Sequence, residues 1–599
     1  LGVTANSTPA PIAVTQARRD PTGLGPFLFA VGVVGHRDLV AGDTADIRAD
    51  VARFLAELAP KVPHASIQVV TGLAAGADLL VAEVARELGV SVVAVLPMPW
   101  EMYRQDFSGE ELERAERMLA ADGVEVTELP PPGDVDMAAA RSDGAERDRL
   151  YVGLMDHLVA RCHLLLALWD GEVTGLPGGT GDAVLAYLGG RDLDLPPGPI
   201  DLGAKGDAAE GADAVVAWVP VRRSIDLPRA DSSVRFLAVG VRPSAPVVSR
   251  EFPAVLDARL EALDDHLRDA AAISGAEEPD GRSGLLSILD DDADRLAHAL
   301  RPIADEFERA DRSAVIHQRR SNLVFKAMAL IAGAMGLFFL MYAKIDALEV
   351  YLAIYLGLSL AGYVLYTFAR RRDWFTRHLT DRVVAESLRV RFYLALCGVH
   401  EGLHAERLLD LLGTSRLRGF AWVRDAWRVG ALPSGAELAD PSAVDRVRRS
   451  WIDDQAEYFR ARLTDLLRRQ ERLERVRSAL FGLAFVAGVV LLFFAGDLAE
   501  VEITGTLDLK TAVLVLMGLL PLWLGIWELY QNKMATRELI WQYRNQAEHF
   551  TTASRALARP LSPEEQRRVL VDLGDRALFE VYLWSLHRFH REYEPSLPG

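Results

Sequence analysis

Cysteine is nearly absent: Cys162 and Cys397 are the two in 599 residues. Two thiols cannot build a disulfide framework, and Cys162 opens an apolar strand pattern in which a buried thiol is expected. A basic excess is also lacking. The chain holds 66 Lys and Arg against 84 Asp and Glu, a net charge of −18. That balance excludes a general binder of phosphate backbones, and with it a nucleic-acid partner. Residues 1–26 are rich in Pro, Thr, Ala and Gly and lack the apolar core of a secretory leader; they are expected to form a disordered arm.

Long apolar runs, by contrast, are plentiful. Residues 327–343, 350–369, 479–495 and 511–527 are free of charge, and each can cross a hydrocarbon core of about 30 Å as a helix. They fall into two hairpins with short polar connections. Arg312, Arg319, Arg320 and Lys326 precede the first hairpin, and Arg370, Arg371, Arg372 and Arg377 follow it. Arg468, Arg469, Arg472, Arg475 and Arg477 precede the second, and Lys533 and Arg537 follow it; the connecting loops carry only Lys344 and Lys510. By the positive-inside rule both hairpins point out of the cytoplasm, with the N- and C-termini inside. Two hairpins buried in a soluble protein would not explain a charge asymmetry that occurs twice. Each hairpin is led by a charged helix (300–326, 450–478) and followed by an amphipathic one (377–398, 533–558), with Phe392 and Phe550 at matching places. That pattern reads as an internal repeat. Gly333, Gly336, Gly357, Gly362, Gly518 and Gly525 are expected to let helices approach closely. Asp497, Glu500, Glu502 and Asp508 read either as a solvated loop or, repeated around an oligomer, as an acidic vestibule favouring cations.

Residues 27–245 alternate apolar strands with helical periodicity. FLFAVGVV (27–34), SIQVVTG (66–72), SVVAVLP (91–97) and HLLLALW (163–169) read as four successive strands, with RFLAVGV (235–241) a later one. The alternation predicts an α/β, Rossmann-like domain with a parallel sheet covered on both faces. Ligands of such sheets lie beyond the carboxyl ends of the strands. Those ends carry Gly35-His36-Arg37, then Thr71-Gly72 with Ala75, Gly76 and Asp78 opening a helix, then Asp170-Gly171, then Gly178-Gly179-Thr180. Glycine-rich turns before helices admit an anion to backbone N–H groups and the helix dipole. Arg37 suits a phosphate. Asp78 suits either a ribose hydroxyl or the helix dipole, and Asp170 either a ligand contact or an Asx-turn into Gly171. The sequence pairs no acid with a base at these loops, so no catalytic residue and no metal ligand is assigned.

The combination GHR, TGLAAGAD, the stretch with Tyr103, Asp106 and Phe107, and ALWDG…GGTGD resembles the SLOG domain, the Rossmann-like superfamily of LOG phosphoribohydrolases and DprA-like proteins. The resemblance covers roughly 27–245 and implies a nucleotide or nucleotide-derived ligand. LOG enzymes carry Pro-Gly-Gly-x-Gly-Thr-x-x-Glu with a catalytic glutamate. Here Pro177-Gly178-Gly179-Thr180-Gly181-Asp182-Ala183-Val184 has no glutamate at that place, which argues against hydrolysis and leaves binding intact. WIDDQAEYFRARLTDLLRRQ and AESLRVRFYLAL resemble SLATT modules, two-helix membrane units found with SLOG domains. The expected organisation is an arm (1–26), a SLOG-like head (27–245), a helical linker (246–320), a first two-span module (321–400), a cytoplasmic connector (401–449) and a second two-span module (450–599). What the resemblance implies is a multi-pass effector of the bacterial inner membrane. Its head would sense a nucleotide-derived signal and control a homo-oligomeric pore in a defence pathway. The competing readings are a membrane-tethered nucleotide hydrolase and a constitutive channel with a scaffolding head.

Overall fold

A computed structural model of the chain describes residues 24–133, 135–188, 214–225, 233–238, 247–274, 284–289, 294–345, 348–399, 420, 422–429, 442–504, 507–533 and 536–593. The chain divides into two compact units, Leu1–Arg312 with Val384–Val444, and Ser313–Val383 with Asp445–Gly599.

The first unit is built on an eight-stranded sheet. Its strands are β1 (Phe27–Gly35), β2 (Ala65–Thr71), β3 (Ser91–Leu96), β4 (Val124–Glu128), β5 (Leu164–Trp169), β6 (Val215–Pro220), β7 (Arg235–Ala238) and β8 (Val247–Ser249), in the order β4-β3-β2-β1-β5-β6-β7-β8. β1 to β6 are parallel, whereas β7 and β8 run antiparallel to their neighbours. The wholly parallel sheet expected from the sequence is therefore corrected to a mixed one dominated by parallel pairs. HLLLALW is the fifth strand, because the polar VEVTE forms an edge strand before it, and the sheet continues past residue 245 into β8. β5 and β6 are buried along their whole length, as continuous apolar runs require when helices cover both faces of a sheet.

Helices α1 (Thr44–Leu58), α2 (Ala77–Glu87), α3 (Trp100–Tyr103), α4 (Gly109–Leu119), α5 (Ala145–Arg161) and α6 (Thr180–Leu188) connect the strands. Leu154, Met155 and Leu158 of α5 share a core with Ala183, Val184 and Tyr187 of α6 and with β5 and β6. The amino edge of the sheet is closed by distant parts of the chain. Arg259 of α7 (Ala254–Ser274) lies 3.1 Å from Asp425, Arg428 donates to the Cys162 carbonyl at 2.6 Å, and Trp422 stacks on His266. Segments expected to be linker and connector thus pack as part of the head unit.

Four helices among the described residues are long and apolar enough to cross a membrane: Leu296–Lys344, Glu349–Leu396, Ala443–Ala499 and Leu509–Glu528. Their apolar windows are only 0–6 % buried, so lipid or other chains must cover them. The glycines divide. Side chains at Gly333 and Gly518 would touch Trp523 (3.6 Å) and Leu340 (3.1 Å), one at Gly362 would touch Ile331 (3.4 Å), and one at Gly336 would collide with Leu522. These four sit where helices approach, whereas Gly357 and Gly525 face open space. Phe392 and Phe550 are both buried. Asp508 caps the last span by accepting the Thr511 N–H at 3.0 Å. Most of the expected arm (1–23) and much of the expected connector lie outside the described residues. Gly25 is held by Asp305 and Arg309.

Candidate functional site

The chain moves from β1 outward to β4, then returns to β5 beside β1 and continues to β6. Strand order reverses between β1 and β5, and that switch point is where open α/β sheets leave a crevice for ligands. His36 follows β1 and Asp170 follows β5, and the two meet there. His36 Nε2 lies 2.9 Å from Asp170 Oδ1 and 3.2 Å from the Asp170 backbone nitrogen. A protonated Nε2 bonds the carboxylate, and a bare one accepts the amide. Asp170 also accepts the Glu172 N–H at 3.0 Å, the Asx geometry considered for it. Burial alone would raise the Asp170 carboxyl. The His36 hydrogen bond and the Glu172 amide outweigh burial and hold it below the usual carboxylate range.

Beside this pair the β2–α2 turn is tightly built. Leu73 sits at φ +52°, an uncommon backbone state for leucine, with its N–H donating to Thr71 Oγ1 at 3.1 Å. Gly76 has φ +81°, and a side chain there would strike the carbonyls of His36 and Arg37. It is glycine because two loops touch at that point, so a bulky residue at position 76 would disturb the backbone as well as a ligand. The His36 N–H donates to Leu168 O at 3.1 Å, and its carbonyl accepts the Ala77 N–H at 3.1 Å, tying β1, β5 and α2 together. Ala75 turns its methyl into a core with Leu96, Tyr103 and Leu150.

Asp78 is 6 % exposed at the start of α2. Burial pushes its carboxyl up to about 7; hydrogen bonds from Thr71 and the Ala74 amide and the charge of Arg37 oppose that rise without cancelling it. Asp78 therefore titrates near neutrality within the electrostatic reach of Arg37. Tyr103 is fully buried and donates its hydroxyl to Gly72 O at 2.9 Å.

Arg37 is the most open of these groups, with 43 % of its side chain exposed. It lies 3.9 Å from Asp106 and 5.2 Å from the centre of the Tyr151 ring. Asp106 is a hub: Arg147 donates to it at 2.6 Å, and the Tyr151 hydroxyl donates to it as well. Arg147 is buried and also binds the carbonyls of Ala140 (2.9 Å) and Met102 (3.2 Å). Backbone atoms of Tyr151 and Val152 lie where a side chain at Gly178 would go, so α5 joins the Gly178–Thr180 loop to Arg37. Within that loop the Gly178 N–H donates to Asp182 (2.9 Å) and the Gly179 N–H to Leu176 O (3.0 Å). Gly171 and Gly178 hold φ of +90° and +73°.

The structure thus gathers Gly35, His36, Arg37, Gly72, Gly76, Asp78, Asp170 and Gly171 at the carboxyl ends of β1, β2 and β5, with Gly178, Gly179 and Thr180 joined to them through Tyr151. Thr71 supports the turn from within. The fixed side chains that orient Arg37, namely Asp106, Arg147 and Tyr151, were not among the candidates. Asp106 lay within a recognised stretch, but nothing in its spacing paired it with α5.

No protein-family model, curated protein or solved structure matches this chain. Its function must be read from the residues themselves.

Proposed function

We propose that the crevice between β1 and β5 binds a nucleotide-derived ligand, and that the chain is a homo-oligomeric, ligand-gated membrane pore of the bacterial inner membrane acting in defence. The observation that supports this most is the meeting of His36 and Asp170 at the switch point, with Arg37 open beside them. Arg37 supplies a charged fork for a phosphate, and Tyr151 supplies an aromatic face. The missing glutamate in the glycine loop favours binding over turnover. Four apolar spans per chain are few for a self-contained transporter, so conduction requires several copies. Ligand binding would shift the pore only through unequal affinity for its two states.

The test is a melting series on the full chain in detergent with nucleoside mono-, di- and triphosphates, dinucleotides and cyclic dinucleotides. At least one member should raise the melting temperature and be recovered unchanged. Recovery of a hydrolysed product would favour the tethered enzyme. A flat series would favour the scaffolding head.

A further inference from the structure

The helices Thr536–Leu557 and Pro563–Tyr593 pack against each other in the second unit. Between them lies a cleft lined in part by Glu538, Trp541, Gln542, Glu580, Trp584 and Arg588. Its floor and its rim differ. Trp541 is 54 % exposed, whereas Glu580 is 5 % exposed. Glu580 Oε1 accepts the Asn545 amide at 3.4 Å, and the Glu580 backbone carbonyl accepts the Gln542 amide at 3.1 Å. The second carboxylate oxygen, Oε2, finds no hydrogen-bond partner among the described residues. A buried carboxylate with one oxygen unmet is costly, and an arriving cation would relieve the cost. Burial accordingly raises the Glu580 carboxyl, with only the Asn545 hydrogen bond opposing.

The aromatic groups specify which cation. Indole is the strongest of the side-chain π faces for a cation. Trp584 already makes such a contact, with the Arg588 guanidinium 5.4 Å from its ring centre. Arg588 lies over that ring, and Trp541 stands at the open rim. A strongly hydrated inorganic ion gains little from indoles, whereas an organic ammonium gains from the rings and from the carboxylate together. The cleft opens within the first two turns of the helix that follows the fourth span.

We propose that this cleft binds an alkylammonium group, with Glu580 as its counter-ion and Trp541 as its aromatic wall. The group belongs to a phospholipid headgroup or to a free amine. The proposal is independent of what the head binds.

The test uses the full chain. In detergent, melting is followed in choline chloride and in ethanolamine hydrochloride against sodium chloride of equal ionic strength. In nanodiscs of mixed phosphatidylethanolamine and phosphatidylglycerol, native mass spectrometry reports which lipid stays bound. Stabilisation by the soluble amines supports the proposal with a free amine as ligand. Selective retention of phosphatidylethanolamine without soluble stabilisation supports it with a lipid as ligand. In either arm Glu580→Gln and Trp541→Ala should each weaken binding roughly tenfold. Trp541 is exposed, so its variant keeps the test open should Glu580→Gln not fold. The proposal is overturned if choline, ethanolamine and sodium give equal melting and both lipids are retained equally. It is equally overturned if the variants bind as the wild type does.

Discussion

The two ends of β5 each bring a histidine and an aspartate together, and they use them in opposite ways. At the amino end His163 is fully buried. Its Nδ1 accepts the Ala30 N–H at 2.8 Å, so its Nε2 carries the proton and donates to Asp425 O at 2.9 Å. Both ring nitrogens are met by backbone, the ring stacks on Phe29, and burial, with the charge of Arg428, pushes its pKa down to about 3. That histidine is a neutral structural pin. At the carboxyl end His36 and Asp170 remain 14 % and 13 % exposed and contact each other through side chains. The same sheet is sealed at one edge and left open, with charges in hand, at the other. Chemistry is available where backbone has not already satisfied the polar groups.

The largest effect should come from breaking the sealed edge. Asp425 is buried 3.1 Å from Arg259, a close charge contact without hydrogen-bond alignment. Asp425→Ala would leave the arginine charge buried without its carboxylate, a loss of about 3–5 kcal/mol, read as a large drop in the melting temperature. A drop no greater than that of an ordinary surface substitution would show that this edge is not sealed by the pair.

A smaller effect separates the two ends by pH. Folded Asp78 keeps its proton up to about 7, against 3.8 for an unperturbed carboxyl. Its contribution to stability is complete below 3.8 and is lost as pH rises through 7. His163 behaves in the reverse sense. Its contribution is complete above 6.5 and is lost as pH falls toward 3. Asp78→Asn should therefore gain stability relative to the wild type between pH 5 and pH 8, by about 3 kcal/mol. Melting of the two proteins at both pH values measures it. A difference independent of pH would mean that Asp78 is ionised throughout.

The contrast also explains what could be read in advance. β1, β2, β3 and β5 are apolar runs, three of them (β1, β2 and β5) ending at a glycine or shortly before one, and both their existence and the importance of those ends were legible. β4 was not, because VEVTE is an exposed edge strand without an apolar run. β6 was missed although VVAWVP, wholly buried, carries the signal of a core strand. The open end of the sheet is made of loops that immediately follow strands, so motif and position coincide and its residues could be named. The sealed edge joins His163, Arg259 and Asp425 across more than 260 positions, and no local pattern encodes which surface a distant helix will cover. Arg147 and Tyr151 were missed for the same reason. In the spans, the glycines were legible as small residues, but which of them face a neighbouring helix depends on packing.

The claim that the open edge governs a pore is tested most directly by ion flux from liposomes carrying the full chain. Flux is recorded with and without the nucleotide that raises the melting temperature, in the wild type and in Arg37→Ala. Arg37 is 43 % exposed and 3.9 Å from Asp106, so its removal should cost less than about 1 kcal/mol of stability while removing the charged contact to the ligand. The account predicts ligand-dependent flux in the wild type and none of that dependence in Arg37→Ala, with equal protein in the membrane. Equal, ligand-independent flux in both would contradict it.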